Sequence, residues 1–146
     1  MKNAGKLRFT LYWTLIGVVY VAAVAYMSLV PDPPSDVLPF PESDKVVHLS
    51  VYAFLMLWFG QIYHERPVAL LIASGLVALG ILLEILQGVS GCRTFGYMDI
   101  TANTLGVIFG FSIARTRFGG LLYGLEMFLV RSRDCRTNSK SEPGPW

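Results

Sequence analysis

The chain has 146 residues, 53% of them hydrophobic and 15% charged, with a mean hydropathy of +0.51. A water-soluble domain carries about 25% charged residues, so these charges are too few to cover a water-facing surface and the composition is that of a membrane protein. Each crossing needs about 20 apolar residues, so four crossings use most of the chain and leave no room for a separate soluble catalytic domain. A net charge of +2 is too small to argue for nucleic acid, and two cysteines make neither a disulfide framework nor a Cys-rich metal site.

The first apolar run, Phe9 to Val30, holds no charged residue and follows Lys2, Lys6 and Arg8. Ala23-Val24-Ala25 resembles the small-residue cleavage site of a signal peptide. A signal core spans about 7–15 residues, however, and this run continues through Met27 and Leu29 until Pro31, Pro33 and Pro34 stop it, so an uncleaved helix is expected. The second run, Val46 to Tyr63, and the third, Pro67 to Gln87, are separated only by His64, Glu65 and Arg66, a connection that joins antiparallel neighbours. The fourth, Ile100 to Ala114, reaches a full span only if it extends toward Tyr97 or past Arg115. Phe118 to Val130 is amphipathic, too short to cross with Glu126 inside it, and reads as an interfacial helix. The tail Arg131 to Trp146 is polar, contains Pro143 and Pro145, and is expected to be disordered. The fold class is therefore all-α: a polytopic membrane protein with four transmembrane helices in an antiparallel bundle plus a C-terminal interfacial helix. Residues 1–130 form the transmembrane domain and residues 131–146 a cytoplasmic tail.

Of the twelve Lys and Arg residues, Lys2, Lys6, Arg8, Arg66, Arg115, Arg117, Arg131, Arg133, Arg136 and Lys140 fall on one side of a four-crossing arrangement, with Lys45 and Arg93 opposite. The positive-inside rule makes the crowded side cytoplasmic, so both termini are expected on the cytoplasmic side. Cys92 then lies outside and Cys135 inside, which precludes a disulfide between them.

The remaining polar residues gather at the outer ends. Asp44, Lys45 and His48 open the second helix, Glu84 and Gln87 close the third, Arg93 lies in the next loop, and Asp99 and Asn103 open the fourth. At 100° per residue, Asp44, His48 and Tyr52 fall within about 80° of one another, Glu84 and Gln87 within about 60°, and Asp99 and Asn103 within about 40°. Polar groups facing lipid are costly, so the three stripes should converge on one another. Helix capping alone could account for Asp44 and Asp99, whose carboxylates complement outward-pointing helix N-termini. His48 and Asn103 lie a turn deeper, beyond the orphan N–H groups. Glu84 sits near a helix C-terminus, where the dipole disfavours an anion, and needs a cationic or proton-donating partner, for which Lys45, His48 and Arg93 are the candidates. Interhelical packing by polar contacts is the competing reading of this group. Gly106 and Gly110 continue the face of Asp99 and Asn103 as a small-xxx-small pair, which predicts close helix packing. Tyr12, Trp13, Tyr20, Tyr26, Trp58 and Tyr63 read as belt and packing residues.

The ordered set resembles the VanZ-like membrane proteins: Asp44-Lys45-x-x-His48 with Tyr52 after a Pro-rich outer loop, Glu84-x-x-Gln87, Arg93, and Asp99-x-x-x-Asn103-x-x-Gly106, over roughly Tyr20 to Arg115. The family is named for a protein associated with low-level resistance to the lipoglycopeptide teicoplanin. The converging stripes suggest an outer-leaflet polar pocket that binds a lipid-linked cell-wall precursor or a lipoglycopeptide, with membrane lipids as further partners, and the resemblance adds a bacterial plasma membrane and a contribution to teicoplanin-type tolerance as expectations. In that reading Arg93 and Lys45 hold an anionic head group while the apolar helices hold its tail. The alternative is a membrane enzyme in which His48 with Glu84 or Asp99 forms an acid/base pair on a lipid-linked head group and Arg93 stabilises developing charge. The chain lacks a second outer histidine of the lipid phosphatase kind, the paired Asp motif of alcohol phosphotransferases and a nucleophilic serine elbow, so binding is favoured over catalysis. His48 with Asp44, Glu84 and Asp99 could hold Mg²⁺ or Mn²⁺, whereas a structural zinc site would need more N or S ligands than His48 and Cys92 provide. The sequence by itself assigns no metal and no cofactor.

Overall fold

The computed structural model describes residues 7–30, 43–90 and 96–138, and every regular element among them is helical. Helix α1 spans Thr10–Leu29, α2 Ser43–Ile62, α3 Arg66–Ser90, α4 Tyr97–Ala114 and α5 Leu121–Asn138, with a 3-10 turn over Arg117–Gly120 leading into α5. α1 stops at its proline for a local reason: Val30 precedes Pro31, whose ring crowds the helical region of the residue before it, and Val30 is extended with φ −69° and ψ 130°. α4 does extend back to Tyr97, and its 18 residues then rise about 27 Å, slightly short of a hydrocarbon core of about 30 Å.

Three helices, α1, α2 and α3, are long and apolar enough to cross a membrane, and a fourth span is reached only if α4 and Phe118–Arg131 count together across a 79° bend. Their outward faces carry large apolar side chains, with Leu71 73% and Val89 81% exposed, a surface that water would penalise and lipid accepts. The chain is thus an all-helical protein suited to a membrane.

α2 is the central element. Leu55 and Met56 are wholly buried, and Tyr52, Phe59 and Ile62 join them in the core with Leu76 of α3, Val107 of α4 and Leu122 of α5. α1 is peripheral, with 6% of its span buried against 39% for α2, and packs on the core through Trp13, Tyr20, Val21 and Val24. Trp13 and Trp58 meet edge-on at 5.9 Å, Tyr20 and Phe54 at 5.2 Å, and Trp58 Nε1 donates to the Trp13 carbonyl at 3.0 Å. Gly17 makes room for this: a Cβ there would lie 2.7 Å from the Phe59 ring. The rings expected to act as belt and packing residues are here packing residues at Trp13, Tyr20 and Trp58.

The α2–α4 contact is closer still. A Cβ on Gly106 would overlap the Leu49 carbonyl oxygen, and one on Gly110 the Ala53 carbonyl oxygen, so the two backbones touch along the predicted small-residue face. His48 meets Asn103, Leu49 and Ala53 meet Gly106, Ala53 and Met56 meet Gly110, and Gly60 meets Ala114, so the contacts ascend together along both helices. Between α1 and α2 they run in opposite senses, from Thr14 against Tyr63 to Tyr20 against Phe54. α3 likewise descends α4, with Gly80 beside Asn103 and Glu84 beside Gly96.

At the end remote from His48, two polar side chains tie α5 to the bundle. Gln61, 7% exposed, accepts from the Leu122 N–H at 2.9 Å and so satisfies a free donor in the first turn of α5. Glu126, 4% exposed, accepts from the Arg8 backbone N–H and from Trp13 Nε1 at 3.0 Å. A cavity of about 550 Å³ opens here between α1 and α5, with Arg8, Tyr12, Trp13 and Val130 among its walls. In the α2–α3 turn, Arg115 Nη1 donates to the His64 carbonyl at 3.1 Å. Burial, and then the Arg115 charge, hold the His64 imidazole below its usual pKa, which keeps the ring neutral beside the guanidinium.

α5 continues past Val130, through Arg131 to Asn138. Nothing between these residues breaks a helix, since the first proline after Leu121 is Pro143. The rest of the tail, residues 139–146, lies outside the described residues.

Candidate functional site

The first turns of α2 and α4 lie side by side because those helices ascend together, and this brings Asp44 and His48 against Asp99 and Asn103. His48 Nδ1 lies 3.1 Å from Asn103 Oδ1, a contact between residues 55 apart in sequence. Asn103 is 3% exposed, so its amide is removed from water and its hydrogen bond to His48 has no solvent competitor. His48 Nε2, on the other side of the ring, lies 3.7 Å from Asp44 Oδ1, one helical turn back. One ligand-capable atom from each of Asp44, His48 and Asp99 lies within 4.8 Å of the other two.

α3 closes the cluster from the side. Gly80 leaves a notch in which a Cβ would sit 3.2 Å from both the Tyr52 hydroxyl and Asn103 Nδ2, so α2, α3 and α4 all contribute at this level. Tyr52 is 2% exposed, which puts its hydroxyl at the buried floor of the group. One turn higher, Glu84 is 2% exposed and accepts from the Gly96 N–H at 2.7 Å. Gly96 is the N-cap of α4, so this buried carboxylate is met by the positive end of a neighbouring helix. Among the described residues the donor to Glu84 is therefore a main-chain N–H, where the sequence suggested Lys45, His48 or Arg93. The side chain of Asp99 crowds the same glycine: a Cβ at position 96 would lie 2.6 Å from Asp99 Oδ2 and 3.5 Å from Glu84 Oε1. Glycine here leaves room for the carboxylates of two helices beside one residue.

Asp44, His48, Tyr52, Glu84, Asp99 and Asn103 thus come together at one end of the bundle. Lys45 follows Asp44 on α2, partly exposed and off the stripe. Arg93 lies outside the described residues. Gln87 turns away: its Nε2 donates to the Ser28 carbonyl at 2.6 Å, tying the last turn of α3 to the last turn of α1. It satisfies an orphan carbonyl rather than joining the group around His48, because α1 ends against that face of α3. Two partners escaped the sequence reading, Gly96 as a donor and Gly80 as a notch. A glycine three residues before Asp99 was the only available signal for the first, since it marks the start of a helix.

Chemically, the arrangement offers a fixed imidazole, a short-range set of carboxylates and a carboxamide, between helices whose other walls are apolar. It can order a cation or a hydrogen-bonding polar head group at the edge of a membrane. The chain matches no protein-family model, no curated protein and no solved structure.

Proposed function

We propose that the chain is a VanZ-like multi-pass protein of the bacterial plasma membrane. Four crossings run in alternating directions, both termini are cytoplasmic, and the outer cluster around His48 binds the head group of an amphiphile. The ligand class is a lipid-linked cell-wall precursor or a lipoglycopeptide, and the consequence is a contribution to teicoplanin-type tolerance. The single observation that carries this reading is the convergence of His48, Asn103, Tyr52, Glu84 and Asp99 from α2, α3 and α4 at one end of an otherwise apolar bundle. Support for the membrane arrangement comes from the contact senses described above and from the Lys and Arg distribution. An apolar helix wall next to a polar cluster suits a ligand that is itself half apolar, because each part then finds its own environment without leaving a buried polar group unpaired.

Teicoplanin titrated onto the detergent-purified protein is expected to bind saturably, and a glycopeptide lacking the acyl chain to bind much more weakly. His48→Ala and Arg93→Ala should each weaken binding by about tenfold or more, on the order of 1.4 kcal/mol, with expression and melting temperature unchanged. Loss of the folded protein in His48→Ala, with Arg93→Ala binding normally, would instead leave the cluster a packing device. Orientation is checked separately. A membrane-impermeant maleimide applied to intact cells should label Cys92 and spare Cys135; labelling of Cys135 would reverse the assignment of sides.

A further inference from the structure

We propose that Asp44, His48 and Asp99 hold a divalent transition-metal cation, Mn²⁺, at the outer ends of α2 and α4, with Asn103 orienting the histidine.

Asn103 Oδ1 can only accept a hydrogen bond, so the His48 nitrogen that faces it at 3.1 Å, Nδ1, carries the proton. In the neutral ring Nε2 then bears the lone pair, and this is the atom 3.7 Å from Asp44 Oδ1. Asp99 adds a carboxylate oxygen within 4.8 Å of both. Three atoms able to ligate a cation thus share one small space across two helices. Asn103 is outside this donor set. It serves His48 as outer partners serve metal-bound histidines, setting the tautomer and holding the ring plane.

The spacing suits an ion. Ligand atoms about 2.1 Å from an octahedral ion are separated by about 3.0 Å when adjacent and about 4.2 Å when opposite. The Asp44–His48 distance of 3.7 Å lies between these values, and the widest pair, at most 4.8 Å, reaches the larger with a side-chain movement of about 0.6 Å or less. Charge also favours it. The carboxylates of Asp44 and Asp99, with Glu84 nearby, supply the negative charge that a divalent cation attracts. One imidazole with two carboxylates selects a transition ion over Mg²⁺ or Ca²⁺, whose sites are built from oxygen. Three protein ligands leave coordination positions open, and Asp44, with a side chain 49% exposed, places them toward the membrane surface. An anionic oxygen of the bound amphiphile would occupy such a position; this last step rests on the binding function proposed above.

The full-length protein in detergent, stripped with EDTA, is titrated with Mn²⁺ and followed by electron paramagnetic resonance, with Co²⁺ absorption reporting the imidazole ligand. Stoichiometric binding is expected, resistant to an equal concentration of Mg²⁺. His48→Gln and Asp99→Asn should weaken it by about tenfold or more, and Asn103→Leu by about 10–100-fold. Asp99→Asn retains the side-chain shape and a first-turn acceptor, so it keeps the test informative if the His48 or Asn103 variants fail to fold. Absent binding, or binding unchanged in folded Asp99→Asn, overturns the site. The titration contains no amphiphile, so its failure leaves the binding function standing. Teicoplanin binding that survives EDTA overturns the bridging role.

Discussion

Gly110→Leu is expected to yield no stable protein in a detergent extract, whereas Gly75→Leu is expected to yield normal amounts with an unchanged melting temperature. The two glycines lie on neighbouring helices and differ in what a side chain would meet. At Gly75 nothing lies within 4 Å of an added Cβ. At Gly110 the added atom overlaps the Ala53 carbonyl oxygen and sits 3.0 Å from the Met56 Cβ, and Gly106 one turn earlier is held equally close to Leu49. Overpacking a core costs about 1–3 kcal/mol when side chains can yield. Here the obstacle is main chain, so the only escape is to separate α2 from α4. Within lipid, no hydrophobic driving force pulls separated helices back together, and the close contact is itself the source of their attraction. The parting of α2 and α4 would also break the His48–Asn103 hydrogen bond. Thermal melting and size-exclusion profiles of the two variants provide the measurement, and a monodisperse Gly110→Leu protein with unchanged melting temperature would show that the helices are not in backbone contact.

Glu84→Ala should destabilise the protein clearly, while Glu84→Gln should leave it folded. The alanine removes the acceptor for the Gly96 N–H from a position 2% exposed. An orphaned buried donor costs about 1–3 kcal/mol, and the space left behind adds a cavity term. Against a total stability of about 5–15 kcal/mol this is a drop of several degrees in melting temperature. Glutamine keeps the shape and a carbonyl oxygen for the same bond, and removes only the negative charge. The pair therefore separates the structural work of Glu84 from its electrostatic contribution: Glu84→Gln should melt near the wild-type temperature and bind an added cation less tightly. Equal melting of Glu84→Ala and wild type would mean that the Gly96 N–H finds its partner elsewhere.

Much of this site is legible before any fold is known, and the parts that are not share a physical character. The apolar runs and the spacing of His48, Glu84, Asp99 and Asn103 along them follow from helical periodicity, which needs only the chain itself. The small-residue face at Gly106 and Gly110 could be recognised for the same reason, as could the grouping of polar stripes at one membrane face. What periodicity cannot supply is the identity of a partner on another element. Glu84 pairs with a backbone N–H, a group every residue but proline possesses, so no side-chain pattern announces it. Gln87 shares a stripe with Glu84 yet bonds Ser28, because the end of α1 happens to cover that position. Gln61 and Glu126 are long-range tethers, reaching 61 residues to Leu122 and 113 residues to Trp13, and a scan along the chain sees each only as a polar residue in an apolar segment.

Composition and periodicity, acting through the cost of exposing backbone and charge to lipid, were enough to determine that this chain forms apolar helices, three of which carry a stripe of polar groups near one end. Which stripe meets which, that α2 and α4 touch through glycine while α1 packs through Trp13, Tyr20, Val21 and Val24, and that His48 faces Asn103 while Gln87 faces α1, were decided only by packing. Those choices depend on the fit of surfaces far apart in the chain, and a local pattern contains no record of that fit.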